Sequence, residues 1–189
     1  MEKYISRAGE KLEYAINKWG IEVKNKVCAD FGCNKGGFTG YLLKNGAKKI
    51  YAVDTGYGMF DWNLRNNPSV VVMERTNALH ITLPEKMDII VIDVGWTPQR
   101  LIIPNALKNL KNNGIIISLI KPHYEASALK KERNIYKGKL DEEEVENIVS
   151  VTNKQLIEQN NIIIKKTIQS PIKGNKAGNI EYINLIKAV

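Results

Sequence analysis

Val27-Cys-Ala-Asp-Phe-Gly-Cys-Asn-Lys-Gly-Gly-Phe-Thr39 decides the fold of this chain. A short apolar run ends in an aspartate and a glycine turn, and a helical pattern follows at once. Ile50-Tyr-Ala-Val-Asp54 then repeats the theme, a second apolar run closed by an aspartate. Strand, glycine turn, helix and strand in that order make the cofactor-binding half of an α/β sheet. Glycine lets the backbone approach a ligand, and an acidic residue at the tip of the next strand accepts hydrogen bonds from a ribose diol. The spacing is not Gly-x-Gly-x-x-Gly, because Gly32 is followed by Gly36 and Gly37 and preceded by Asp30. A pyrophosphate needs a helix N-terminus free of carboxylates, and Asp30 stands against one. A cofactor with a positive charge and no phosphate suits the turn better, and S-adenosylmethionine (SAM) is such a molecule.

Composition narrows the setting. A length of 189 residues fits one domain, 1–189, with enough chain for a real core. No apolar run approaches the roughly 20 residues of a membrane span. The opening Met-Glu-Lys-Tyr-Ile-Ser-Arg has no apolar signal core, so a cytoplasmic protein without membrane association is expected. Cys28 and Cys33 cannot build a disulfide framework and read as reduced packing thiols. With only His80 and His123 besides, no metal site is expected. The net charge of +8 favours an anionic partner, for which nucleic acid is the usual candidate. A composition rich in lysine, asparagine and isoleucine is the plainer account, since the lysines are spread along the chain. The densest basic stretch, 130–139, reads as a loop ahead of the acidic helix start Asp141-Glu-Glu-Glu144.

Strands are predicted at 27–31, 49–54, 70–74, 88–94 and 115–121, each apolar nearly throughout, as strands covered on both faces are. Helices are predicted at 6–18, 38–45, 59–65, 100–111 and 142–160. In the first, Ser6 can act as cap, and Leu12, Ala15, Ile16 and Trp19 share a face. The runs 162–169 and 180–186 lie too close for a parallel crossover and read as an antiparallel pair. The whole is a doubly wound, mostly parallel α/β sheet with one antiparallel strand near the C-terminus.

Six ordered segments carry a family resemblance. They are Ser6-Arg-Ala-Gly-Glu-Lys-Leu12, Asp30-Phe-Gly-Cys-Asn-Lys-Gly-Gly-Phe-Thr39, Asp54-Thr-Gly-Tyr-Gly58, Glu74-Arg-Thr-Asn77, Leu119-Ile-Lys-Pro-His-Tyr-Glu125 and Gly178-Asn-Ile-Glu-Tyr182. Together they resemble the FtsJ-like RNA ribose methyltransferases, most closely the haemolysin A (TlyA) branch, over nearly the whole chain. The resemblance implies a Rossmann-like, SAM-dependent methyltransferase fold and a catalytic tetrad of Lys11, Asp93, Lys121 and Glu181. It further implies a cofactor site in which Asp30, Gly32, Gly36 and Gly37 shape the methionine end, Asp54 holds the ribose and Asn77 reads the adenine edge. Phe38 and Asp93 complete that set, although Phe38 reads as a core residue rather than an adenine stack. Members of the branch begin with a small RNA-binding domain, whereas this chain opens at the methyltransferase core. They also carry a Ser-Phe pair after the aspartate where Gly95-Trp96 stands here. Trp96 can stack on a base or sit in the core.

The residues themselves agree with that assignment. Asp93 and Lys121 each close an apolar strand and should emerge at the carboxyl edge, where α/β sites form. Glu181 is a lone carboxylate in an apolar run, a costly placement unless a cation pairs with it. Lys121 is the candidate general base: desolvation or Lys11 would lower its pKa, the carboxylates of Asp93 and Glu181 oppose that, and the sequence leaves the balance open; His123 takes a positioning or solvent role. The expected function is methylation of a ribose 2′-hydroxyl of structured RNA, ribosomal RNA first. The alternatives are a SAM-binding assembly module without catalysis and a small-molecule methyltransferase. If Asp54 holds the ribose, Asp54→Ala should severely weaken a SAM affinity that is of roughly micromolar scale. Calorimetry showing equal affinity in the variant would remove Asp54 from the site.

Overall fold

The computed structural model describes residues 4–129, 140–174 and 178–189; the basic stretch 130–139 lies outside them. Strand β1 (Val27–Phe31) is buried along its whole length, as its unbroken apolar pattern requires. It runs parallel between β2 (Lys49–Val53) and β4 (Met87–Ile92). Beyond β2 lies β3 (Val70–Met73), and beyond β4 lies β5 (Leu110–Ile120), both also parallel. Strand β7 (Tyr182–Ala188) is antiparallel to β5 on one side and to the edge strand β6 (Ile162–Gln169) on the other. The described strands form one sheet in the order β3-β2-β1-β4-β5-β7-β6. The expected architecture is therefore present, with β7 as its antiparallel member. Chain order reverses between β1 and β4, the place where an open α/β sheet leaves a crevice at its carboxyl ends.

Helices cover both faces. On one, α1 (Ala8–Trp19) and α2 (Gly37–Lys44) seat Leu12, Ala15, Ile16, Phe38 and Leu42 over Cys28, Val91 and Leu119. On the other, α4 (Gln99–Asn109) and α6 (Glu142–Gln159) seat Ile102, Ile103 and Leu156 over Phe31, Ile92 and Ile116. Side chains alternate along a strand. The parity that puts Cys28, Val91, Leu119 and Ile183 on the α1/α2 face therefore reaches Asp30, Asp93, Lys121 and Glu181. Because β7 is antiparallel, its first residue pairs with the last of β5 (Ile120 with Tyr182). Glu181 thus enters the sheet where Lys121 leaves it.

Several local expectations need correction. Helix α1 starts at Ala8 with Arg7 as its cap residue, and no side chain caps it; Ser6 instead accepts the Gly9 amide through its carbonyl, at 3.1 Å. Helix α3 is the short Trp62–Arg65 rather than 59–65, because the Asp61 side chain accepts from the Asn63 and Leu64 amides and fixes its start there. Helix α5 (Pro122–Leu129) was not anticipated; proline in its first position is preset for helical φ. In β6 the register slips between Ile164 and Lys166. A one-residue slip turns side chains to the other face, and so Ile162 and Ile164 pack under α6 while Ile168 packs on the α1 side. Cys28 and Cys33 are buried and unlinked. Among the described residues no helix is long and apolar enough to cross a membrane.

One glycine fixes how close β1 and β4 come beyond their last paired residues. Gly32 has φ +86°, and a Cβ there would lie 2.6 Å from the Asp93 carbonyl oxygen. Gly32→Ala should therefore lower stability by about 2 kcal/mol or more, combining a strained φ with a backbone clash. Urea unfolding checks this; a change within about 0.5 kcal/mol, the level of an ordinary surface substitution, would refute the tight crossing.

Candidate active site

Four side chains from four elements meet at the carboxyl edge as two ion pairs. Lys11, on the buried face of α1, places Nζ 2.5 Å from Glu181 Oε2, and both side chains are almost wholly buried. Lys121, leaving β5, places Nζ 2.5 Å from Asp93 Oδ1 at the exit of β4, and the same ammonium donates to the Val94 carbonyl at 3.2 Å. The carboxylate in the apolar β7 entry thus has the cation its position demanded. Burial alone would lower the Lys121 pKa, but the Asp93 carboxylate, with Glu181 and Tyr124 behind it, outweighs burial and holds the pKa above the usual lysine value. The balance between burial and charge that the sequence leaves open falls on the side of charge in the protein alone: the carboxylates that orient Lys121 also keep its proton on.

Asp30 does different work. Its Oδ2 accepts from the Thr39 amide at 2.9 Å and the Thr39 hydroxyl at 2.7 Å, so a strand residue takes the place of the missing side-chain cap on α2. That helix N-terminus already faces a carboxylate, which is why it suits a phosphate poorly. The other oxygen, Oδ1, is buried with no hydrogen-bond partner. Burial, reinforced by Asp93 and Asp54, pushes the Asp30 pKa up to about 7. An unpartnered acceptor in a concave, acidic spot is a place for a cation.

A cavity of about 600 Å³ opens over these groups. It is lined by Lys11, Asp30, Asp93, Lys121 and Glu181, and also by Gly32, Gly37 and Phe38. Phe38 is at the same time packed into the core under α1, which settles its dual reading in favour of a wall that is also core. Three expected cofactor residues lie outside the lining. Gly36 turns the chain into α2 beneath Phe60 and Leu64. Asp54 sits one layer out, accepting from the Asn34 amide at 2.8 Å and the Gly56 amide at 2.7 Å, and it is Asn34 that faces the cavity. Asn77 is exposed and its side-chain oxygen accepts from the Leu79 amide at 2.9 Å, the geometry of a local turn.

Further groups stand around the site, and of these Asn34, Asn179 and the Glu125–Gln99 pair escaped the sequence reading. Asn34 has φ +45° in the β1–α2 turn, a conformation asparagine tolerates, and this was the signal available. His123 and Asn179 face each other across the rim at 3.5 Å, and burial followed by the Lys121 charge lowers the His123 pKa. Trp96 is 63% exposed, not core, and stacks on Tyr124 with ring centroids 5.2 Å apart. Behind it, buried Glu125 accepts from the Gln99 amide at 2.9 Å, and Gln99 joins the Leu119 carbonyl and the Ser118 hydroxyl. This network ties the start of α4 to the exit of β5, and desolvation raises the Glu125 pKa to about 7.

The chain matches the family model of the FtsJ-like methyltransferases over residues 4–186. It is 41% identical over 187 residues to Hemolysin A of Brachyspira hyodysenteriae, covering 96% of this chain and 75% of that protein. It is 33% identical over 192 residues to the 23S rRNA (cytidine-2′-O)-methyltransferase TlyA of Campylobacter jejuni, covering 96% of this chain and 70% of that one. A crystal structure of a hemolysin candidate from Lactococcus lactis superposes with a TM-score of 0.88 at 32% identity, over 98% of this chain and 89% of that one. Across the TlyA-type relatives the chain spans from 47% to 75% of the partner's length.

The Asp30 carboxylate sets a measurable balance between stability and binding. Its folded-state pKa is raised from 3.8 to about 7, so the native state holds a proton that the unfolded chain releases. Stability is then lost as pH rises through that window, by roughly 1.4 kcal/mol for each pH unit of displacement. Asp30→Asn keeps an acceptor for Thr39 and removes the charge. Thermal melts without SAM should show the variant gaining on the wild type between pH 4 and 8, while calorimetry shows SAM affinity falling. Parallel pH–stability curves would dismiss the buried charge, and unchanged SAM affinity would dismiss its role toward the cofactor.

Proposed function

Since the chain belongs to the FtsJ-like methyltransferase family, we propose that it transfers the methyl group of SAM to a ribose 2′-hydroxyl of ribosomal RNA. The observation that carries this reading is the meeting of Lys11–Glu181 and Lys121–Asp93 in one cavity, at the sheet edge beside Asp30. The Campylobacter relative is named for the same chemistry on 23S rRNA. A binding or assembly module would have no use for two lysines and two carboxylates desolvated together, because each such ion costs several kcal/mol (~) before pairing repays it.

The residues present fit the cofactor. The free Oδ1 of Asp30 suits an ammonium, and Gly32 and Gly37 present the cavity with backbone that carries no side chain. Asp54, through its own carboxylate and the Asn34 turn it holds, is assigned to the ribose hydroxyls. Asn77 is assigned to the adenine edge through its amide nitrogen, its oxygen being engaged in its own turn. SAM supplies a methyl group bound to a sulfonium, electrophilic without further activation.

What the protein must add is a base and an orientation. A ribose hydroxyl is a poor nucleophile until its proton is being withdrawn by a group within hydrogen-bond reach. Lys121 is that group in this reading, and its raised pKa means it must first lose a proton of its own. Burial acts in the helpful direction already, and would act more strongly once substrate covers the cavity. Any cation brought near Asp93 weakens the carboxylate's hold on the Lys121 proton in the same sense. Lys11, locked to Glu181, stands as a fixed positive charge that further disfavours a second ammonium. Asp93 orients Lys121 toward the hydroxyl, and Glu181 does the same for Lys11.

Transfer of labelled methyl from SAM to unmethylated ribosomal RNA, followed by mapping of the modified nucleotide, tests the reading. Lys121→Ala should keep SAM affinity and lose about 10²–10⁴-fold in methyl transfer, the usual worth of a general base. In the wild type, kcat/KM should climb with pH on the alkaline side, because the raised Lys121 pKa leaves the base mostly protonated at neutrality. A variant with near-normal turnover, or a rate that falls with rising pH in that range, would sink Lys121 as the base.

A further inference from the structure

Outside the cavity, the segment after β2 carries a feature that the methyl-transfer chemistry does not use. Tyr57, Met59 and Trp62 are 67%, 57% and 72% exposed, three large apolar side chains within six positions. None of them lines the cavity. Leaving such surface in water is unfavourable in proportion to its area, and a loose loop would fold it away.

This segment is not loose. Asp54 Oδ1 accepts the Gly56 amide at 2.7 Å, and Glu74 Oε1 accepts the Gly58 amide at 2.8 Å. Glu74 is itself fixed by Arg65 at 2.7 Å, and the Arg75 amide donates to the Gly56 carbonyl at 3.1 Å. Phe60 is buried as the anchor between the exposed residues, and Asp61 caps α3. The exposed side chains are therefore held outward by a rigid frame.

The charges around them are one-sided. Asp54, Asp61 and Glu74 are all engaged by amides or by Arg65. Arg75 has its guanidinium 4.1 Å from the centroid of the Tyr57 ring, and no carboxylate pairs with it among the described residues. A guanidinium flush on an aromatic ring offers a flat cationic surface for a base or a phosphate. The surface also joins the cavity: the Asp61 amide donates to the carbonyl of Lys35, at 3.2 Å, and Lys35 lines the cavity. This backbone link sets the start of α3, and with it Trp62, next to a residue of the cavity wall.

The geometry points to Tyr57, Trp62 and Arg75 as a stacking ridge for a single-stranded stretch of RNA flanking the methylated nucleotide. This rests on the proposed function for the identity of the polymer. Aromatic faces accept any base, and an adjoining arginine answers the phosphate, so such a ridge grips without reading sequence. An apolar protein partner fits less well, because the polar frame brings a bare cation into the middle of the patch. A moving cofactor lid fits poorly too, since the segment is braced in place by Asp54 and Glu74.

The test uses the full chain and a fluorescein-labelled oligoadenylate, read by anisotropy, with SAM affinity measured in parallel. The Tyr57→Ala/Trp62→Ala double variant should bind the oligonucleotide roughly tenfold more weakly or worse, with SAM affinity and melting temperature unchanged. Arg75→Gln should reduce the salt dependence of binding by about one ion, whereas the aromatic variant should leave that slope alone. Equal oligoadenylate affinity in the double variant overturns the ridge, as does a wild type that does not bind the oligonucleotide. A fall in SAM affinity instead would make the segment part of the cofactor site, and a wild-type dimer abolished by the double variant would make it a contact between copies. The outcome is separable from the proposed function: a wild type that methylates ribosomal RNA while the double variant methylates it with the same KM refutes the ridge alone.

Discussion

The Lys11–Glu181 pair is the interaction on which the geometry of the edge depends. It joins the N-terminal helix to the last strand, residues 170 positions apart in the chain, at 2.5 Å and with almost no solvent. Such a pair is poor value for stability, since desolvating two ions costs about as much as their attraction returns, and apolar residues of similar volume often do better. Its effect is on placement. With Glu181 buried at the mouth of β7, the cation must come from a helix laid over that edge, and α1 is held there by the apolar stripe Leu12, Ala15 and Ile16. Packing brings the helix to the sheet, and the charge fixes which residue of it faces the cavity.

Direction of the last strand matters as much. A parallel β7 would start at the opposite edge of the sheet and carry Glu181 away from Lys121. The antiparallel insertion between β5 and β6 reverses this and pairs Tyr182 with Ile120. Alternation then does the rest: Asp30, Asp93, Lys121 and Glu181 share the parity of core residues under α1 and α2. Among the described residues, the α4/α6 face is closed largely by isoleucine and leucine.

Much of this was legible from the sequence for simple reasons. The five parallel strands announced themselves as apolar runs, and the aspartates and lysine at their tips marked the edge to watch. What was hidden depended on contacts between distant residues. Nothing local says that Asp61 starts α3, that the α2 cap comes from Asp30 on the strand before it, or that Glu125 caps the start of α4 from another helix. Helix α5 was hidden by its brevity, with one proline as its only signal. Asn77 looked like a free amide because a sequence does not reveal that its oxygen is engaged two residues on. The Lys121 pKa was a contest between burial and charge, and only the 2.5 Å contact with Asp93 decides its sign.

Those electrostatics describe a site prepared for positive charge. Three carboxylates, Asp30, Asp54 and Asp93, lie on the same side of the sheet at adjoining strand ends, and each raises the pKa of a neighbour. The Oδ1 atoms of Asp30 and Asp93 are both buried without a hydrogen-bond donor, but Asp93 has the Lys121 ammonium beside it, whereas Asp30 has no such cation and its partner oxygen is consumed in building α2. A fold selected for stability alone would set asparagine there and lose nothing at Thr39. Retaining the acid makes sense where a cation completes it, so the same residue that disqualifies the helix terminus for phosphate qualifies it for SAM. The overall charge of +8 acts on a different scale: a net charge of one sign favours ligands of the other over the whole molecule, whereas the carboxylates at the strand ends act only within the cavity.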